Sequence, residues 1–235
     1  MKAAVYRGEG RLLVEDIPVP DPLPGEILIK VNYSAICGTD VHAFVYDIAP
    51  TGSVMGHEFS GVVTAVGEDV HDWKIGDRVI GGGGSPPPGL EAPLRRQEQY
   101  NYRLEGFAST RKRGYAEYTV LNDWEPLLIP DNVTDLEACM TEPCSVVVRA
   151  VRRSNQRLGD TVVVLGAGPI GLLCIQAAKA AGAGKVIVSE PAKIRREVAT
   201  KLGADAVIDP LQEDVYSSVM ALTGGVGPDI VYECA

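Results

Sequence analysis

The sequence predicts an α/β chain in which a β-rich module is followed by the opening of a doubly wound parallel sheet. Three observations carry that expectation. Short β-rich runs, "EILIKVNYSAI", "SGVVTAVG", "DRVIGGGG" and "AEYTVLN", fill the first half and are separated by Gly, Pro, Asp and Asn. After Leu136 the hydrophobic period changes, and strand-like and helix-like stretches alternate to the end. Between the strand "DTVVVL" and the helix after it lies a glycine-rich turn, "GAGPIG".

The first module is expected to span 1–150 and to form a partly closed barrel, because many short strands with frequent turns favour that solution. Inside it, 81–114 is rich in Gly, Pro and Arg, holds no cysteine, and reads as an exposed lobe. "DLEACMTEPCSVVVRAVRRS" has a helical pattern and leads into the second module, 151–235. There "DTVVVL", "KVIVSEP", "ADAVIDP" and "PDIVYECA" read as four strands, with helices at "PIGLLCIQAAKAAG" and "EDVYSSVMALTG". Strands alternating with helices require crossover connections and hence a parallel sheet.

Composition narrows the function. Of 235 residues, 46% are hydrophobic and 23% charged, the profile of a soluble globular protein. A net charge of −9 argues against a nucleic-acid or anionic-membrane partner. The first eleven residues lack a signal-peptide apolar core and no apolar run is long enough to cross a bilayer, so a cytoplasmic location is expected. The cysteines, Cys37, Cys139, Cys144, Cys174 and Cys234, are scattered without a CxxC pair, against a disulfide framework or a four-cysteine zinc knot.

"VVVLGAGPIGLL" contains G-x-G-x-x-G as Gly166, Gly168 and Gly171, with Pro169 and Ile170 opening the helix. The motif is weak alone, but a strand before it and a helix after it are the context of a dinucleotide site. Gly166 suits the tight turn, Gly168 the approach of a pyrophosphate, and Gly171 close helix–strand packing; the helix N-terminus offers N–H groups to phosphate. Glu190 ends the second strand, near the spacing at which an acid meets the adenosine ribose hydroxyls. A carboxylate there repels a 2′-phosphate and favours NAD over NADP, whereas Arg195 and Arg196 just beyond it are of the type that binds such a phosphate.

"ICGTDVHAF" and "VMGHEFSG" carry the other site. Both abut strands, so a β module can bring Cys37 and His57 together. A catalytic zinc takes three protein ligands and keeps one open position. The third ligand is Glu58 or Glu142, with Cys144 an outside candidate. Asp40 suits the orientation of the ligand imidazole through its far N–H, Thr39 a proton-accepting hydroxyl, and His42 release of the proton to solvent. Ionising an alcohol at neutral pH costs on the order of 12 kcal/mol, which a metal can largely offset.

Taken in order, "CGTDVH", "GHEFSGVV", "IGDRV", "EPCSV" and "GAGPIG" resemble the zinc-dependent medium-chain dehydrogenase/reductase (alcohol dehydrogenase) family across the whole chain. The resemblance implies a GroES-like catalytic domain followed by an incomplete Rossmann sheet. It also implies hydride transfer between an alcohol and NAD, with zinc stabilising the alkoxide, and a homo-oligomeric full-length form. By position, Cys37 and His57 match zinc ligands, Glu142 the third ligand, and Glu58 the Glu that enters and leaves the coordination shell. Thr39 and His42 match the proton relay, and Phe107 a substrate-pocket aromatic. Glu at the third position resembles the polyol branch: sorbitol, butanediol and L-threonine dehydrogenases. Two departures stand out. The lobe lacks the four cysteines of a structural zinc, so one catalytic zinc is expected. The family also continues for about a hundred further residues, so the sequence reads as a truncated product without a complete active site. The rival readings are a zinc-free quinone or enoyl reductase and an inactive NAD-binding protein.

Overall fold

The structure is a computed structural model that describes residues 1–81 and 114–235. Phe107 and nearly all of the cysteine-free lobe lie outside the described residues. The chain divides into two compact units, Met1–Glu142 and Pro143–Ala235, beside the 1–150 and 151–235 read from sequence.

The first unit is antiparallel. Strands β1 (Lys2–Tyr6) and β2 (Leu12–Asp16) form a hairpin that the sequence patterns had not singled out. A five-stranded sheet has the order β6-β3-β4-β5-β7, from β3 (Glu26–Ser34), β4 (Phe59–Val66), β5 (Arg78–Ile80), β6 (Tyr118–Asn122) and β7 (Leu127–Leu128). Ile27, Ile29, Phe59, Val63, Val79 and Leu121 form its buried core; each such side chain contributes about 1.5–3 kcal/mol on burial. Register shifts between Leu28 and Ile29 and between Val31 and Tyr33 mark irregularities of the kind that bend a strand toward closure.

Among the described residues two helices lie within this unit. Helix α1 (Gly38–Val45) begins at once after Cys37, so Thr39, Asp40 and His42 all stand on a helix. The single-turn helix α2 (Asp135–Ala138) is held by a capping box between Thr134 and Glu137 and by the Arg78 guanidinium on Asp135 at 2.7 Å.

Helix α3 (Thr141–Ser154) runs through the division into the second unit, which is parallel throughout. Its elements are β8 (Thr161–Leu165), α4 (Pro169–Ala180), β9 (Lys185–Ser189), α5 (Lys193–Lys201), β10 (Ala206–Ile208), α6 (Val215–Leu222) and β11 (Ile230–Glu233), with sheet order β10-β9-β8-β11. Alternate residues serve opposite faces. Val162, Val164, Val186 and Val188 pack with Val147, Ile175 and Ala199, while Val163, Ile187 and Ile208 pack with Val219. A sheet buried on both faces explains why these strands read as unbroken apolar runs. The order reverses at β8, and at such a reversal the crevice past the strand ends takes ligands.

Candidate functional site

The metal cluster is built by strand register. Ser34, the last residue of β3, pairs with Phe59, the first of β4. In an antiparallel pair, the chain leaving one strand and the chain entering the other share an edge, and the Ala35 N–H bonds the Glu58 carbonyl at 2.8 Å. Cys37 and His57–Glu58 therefore emerge side by side. A sulfur, an imidazole nitrogen and a carboxylate oxygen from Cys37, His57 and Glu58 all lie within 4.8 Å of one another. Ligand atoms at about 2.0–2.3 Å from a tetrahedral zinc stand about 3.3–3.8 Å apart. Small side-chain rotations close this cluster on such an ion, so the donor set fits the metal.

Charge gives the same answer. Burial disfavours a protonated His57, yet hydrogen bonds and charge from Asp40 and Cys37 push its pKa up to about 10. A position that favours the protonated ring this strongly is one that favours positive charge. Asp40 is 3% exposed. Burial would raise its carboxyl, but His57, Tyr115 and the Cys37 N–H outweigh burial and hold it below the ordinary value. Asp40 Oδ1 stands 3.5 Å from His57 Nδ1, the nitrogen on the far side of the ring from Nε2. Burial, and then the charge of nearby Glu142, raise the Glu58 carboxyl, with His57 partly offsetting them.

The other residues singled out in the sequence fall as follows. Thr39 Oγ1 accepts from the Cys37 thiol at 3.5 Å. His42 is exposed, its ring 5.7 Å from that of Tyr46. Glu142 is close enough to act on Glu58 electrostatically but stands outside the three-residue cluster. Cys144 lies one turn into α3, its thiol raised by burial. Sequence reasoning missed Tyr115, whose hydroxyl donates to Asp40 Oδ2 at 2.8 Å; nothing local in "GYAEY" marks it.

In the second unit a cleft of about 580 Å³ is lined by Gly166, Gly168, Ser189, Glu190, Arg195 and Cys234 among others. An added Cβ on Gly168 would meet nothing within 4 Å, leaving open space beside the backbone at the start of α4, as an approaching phosphate requires. The Glu190 carboxylate is buried and anchored by the Ala167 and Ala192 N–H groups at 2.7 and 2.8 Å. Arg195 Nη1 stands 3.9 Å from it and is more than half exposed. Arg196 is engaged elsewhere, on the Glu190 and Pro191 carbonyls and on Asp209. Pro169 and Ile170 begin α4 directly behind Gly168.

A metal-ligand cluster in the β unit and a glycine-turn nucleotide cleft in the parallel unit define the class of metal-assisted nicotinamide dehydrogenases. The alcohol dehydrogenase GroES-like domain matches residues 23–131, and the zinc-binding dehydrogenase domain matches 169–235. The chain belongs to the zinc-dependent medium-chain alcohol dehydrogenase family. It is 34% identical to sorbitol dehydrogenase of Bacillus subtilis over 100% of this chain and 68% of that protein. Identity is 38% to (R,R)-butanediol dehydrogenase of Neisseria gonorrhoeae, over 100% and 70%. The solved 2R,3R-butanediol dehydrogenase of Bacillus subtilis superposes with a TM-score of 0.85 at 33% identity, covering 100% of this chain and 70% of that one. Among solved relatives of this fold one carries NADP and another NADH. Among the described residues no helix is long and apolar enough to cross a membrane.

Proposed function

We propose that this chain supplies the zinc-binding and adenosine-binding parts of an NAD-linked dehydrogenase acting on a secondary alcohol, polyol or amino alcohol. One catalytic zinc is held by Cys37, His57 and Glu58, with Glu142 the carboxylate that competes for the third position. The observation that carries this reading is the meeting of a thiol, an imidazole and a carboxylate within 4.8 Å. When bound, zinc acts as a Lewis acid that offsets the cost of ionising the alcohol, and NAD accepts the hydride.

The chain's own residues prepare and clear the site. Asp40 holds His57 by its Nδ1 side, so that Nε2 is the ligand atom. Thr39 Oγ1, beside the Cys37 sulfur, would accept the alcohol proton as it gives up its own hydroxyl proton toward His42. His42 is three residues further along α1, on the same helix face, and its exposed ring passes that proton to water. Gly166, Gly168, Pro169, Ile170 and Gly171 seat the pyrophosphate at the start of α4, and Glu190 receives the adenosine ribose. The anchored Glu190 carboxylate favours NAD, because Arg196 is committed to backbone carbonyls and Asp209, and among the described residues Arg195 is the one cation lining the cleft that could neutralise a 2′-phosphate.

Metal analysis tests the reading. Dialysed protein is expected to retain one zinc per chain, lost in Cys37→Ser and in His57→Ala with the far-ultraviolet circular dichroism unchanged. Retention in both variants would overturn the site, and two ions per chain would overturn the single-zinc assignment. NAD reduction with sorbitol, 2,3-butanediol and L-threonine then separates the substrate classes.

A further inference from the structure

We propose that Tyr115 is a positioning residue of the metal site, fixing through its hydroxyl the Asp40 carboxylate that orients His57. This inference rests on the zinc reading above and concerns a residue outside the ligand set.

Asp40 is nearly inaccessible to water and its carboxylate meets four donors. Oδ2 accepts the Cys37 N–H at 3.0 Å and the Tyr115 hydroxyl at 2.8 Å. Oδ1 faces the Gly56 N–H at 3.4 Å and His57 Nδ1 at 3.5 Å. The contacts on Oδ1 are the long ones. They depend on the rotation of the carboxylate about its own bond, and the bonds on Oδ2 set that rotation. The Cys37 N–H comes from the same helix start and moves with Asp40. Tyr115 is the donor on Oδ2 that arrives from a distant segment and therefore supplies an external reference.

That segment is itself fixed. The Gly114 and Tyr115 N–H groups bond the Gly56 and Met55 carbonyls, both at 2.9 Å, and the Ala4 N–H bonds the Tyr115 carbonyl at 2.8 Å. The phenol ring lies over Gly56, where an added Cβ would stand 2.5 Å from Tyr115 Cδ1. Gly56 directly precedes the ligand His57. One tyrosine thus packs on the backbone that carries the imidazole and bonds the carboxylate that aims it. Partners that orient a ligand imidazole typically change metal affinity by about 10- to 100-fold when removed.

Tyr115→Phe keeps the ring over Gly56 and removes only the hydroxyl. Zinc affinity of the metal-free protein is measured by competition with a chromogenic chelator, and ligand-field absorption of the cobalt-loaded protein is recorded in parallel. The expected result is zinc binding about 10-fold weaker than in the parent and a shifted cobalt spectrum. Asp40→Asn is expected to weaken binding at least as much, and adding Tyr115→Phe to it to cost nothing further. Equal zinc affinity and an identical cobalt spectrum in Tyr115→Phe, whatever happens to its melting temperature, would overturn the proposal. So would full additivity with Asp40→Asn. If the parent itself fails to bind zinc, or keeps it in Cys37→Ser, the ligand assignment falls instead, so the two failures are distinguishable.

Discussion

Replacing Gly168 and Gly171 one at a time by alanine separates two tasks of the glycine-rich turn. At Gly171 an added Cβ would stand 2.0 Å from the Gly166 carbonyl oxygen and 2.9 Å from its carbon. Both are backbone atoms with no rotamer to change, so α4 must withdraw from β8 by roughly 1 Å. Overpacking of this kind costs about 1–3 kcal/mol. With no side chain able to yield, the upper part of that range applies, and the better helix propensity of alanine returns up to about 1 kcal/mol. The net loss of about 1–2 kcal/mol lowers the melting temperature by about 2–8 °C in a chain of this size. Gly168 differs: its φ of −67° suits any residue, and a Cβ there meets nothing. Gly168→Ala should leave stability within about 0.5 kcal/mol. Its methyl group instead projects into the cleft in which the proposed function seats the pyrophosphate against the backbone. A clash worth about 1–3 kcal/mol there weakens NADH binding by about 5- to 150-fold. Thermal melts and NADH fluorescence titrations of both variants provide the assay. Parent-like NADH affinity in Gly168→Ala, or a parent-like melt in Gly171→Ala, would refute the division of labour.

Glu190→Ala is expected to erase the preference for NADH over NADPH in paired titrations. It should also cost about 1–3 kcal/mol of stability, because the Ala167 and Ala192 N–H groups lose a buried acceptor; a preference kept intact would show that another group reads the ribose. The Cys234 and Cys174 thiols are hydrogen-bonded with their sulfurs 3.8 Å apart, a contact that lowers the pKa of Cys234, while the same contact and burial raise that of Cys174. Iodoacetamide should therefore label Cys234 before Cys174, and NADH should slow the labelling because Cys234 lines the cleft, as peptide mass spectrometry can follow. Burial would raise the Asp205 carboxyl, but Lys179, the Val186 N–H and Lys185 outweigh it and lower the pKa. The stability it contributes is present above the ordinary value of 3.8 and is lost as pH falls through the depressed value. Asp205→Asn should cost about 0.5–1 kcal/mol at neutral pH, since the pair is partly solvated, and the difference should vanish in acid.

What was legible in the sequence was the part written in local pattern. The period switch after Leu136, the buried valine runs of β8 and β9, and the glycines before α4 each announce themselves within a dozen residues, and the parallel unit follows their order. The hairpin of β1 and β2 was less visible because β2 buries neither face: Leu12, Leu13 and Val14 run consecutively and all stay exposed, so no alternation marks the strand. Helix α1 was not announced by the sequence: the capping position is a cysteine and the first turn carries polar chemistry, so the stretch draws attention as a site and not as an element.

The metal cluster was half legible for a physical reason. Cys37 and His57 could be named as partners because each abuts a strand, but their meeting depends on Ser34 standing opposite Phe59. A slip of one residue would send every β4 side chain to the other face. Register is set by the core that Ile27, Ile29, Phe59 and Val63 share, so the apolar face of the sheet decides the geometry of the polar cluster at its edge. Tyr115 enters from a third segment through two backbone hydrogen bonds and a ring laid on a glycine, a relation with no local sequence signature at all. Ligand identity is thus a local property of this chain, whereas ligand orientation is a property of two strands in register and a third segment laid against them. Substitutions in the β3–β4 core that preserve volume should therefore leave zinc bound, while those that shift the register should release it with every ligand still present.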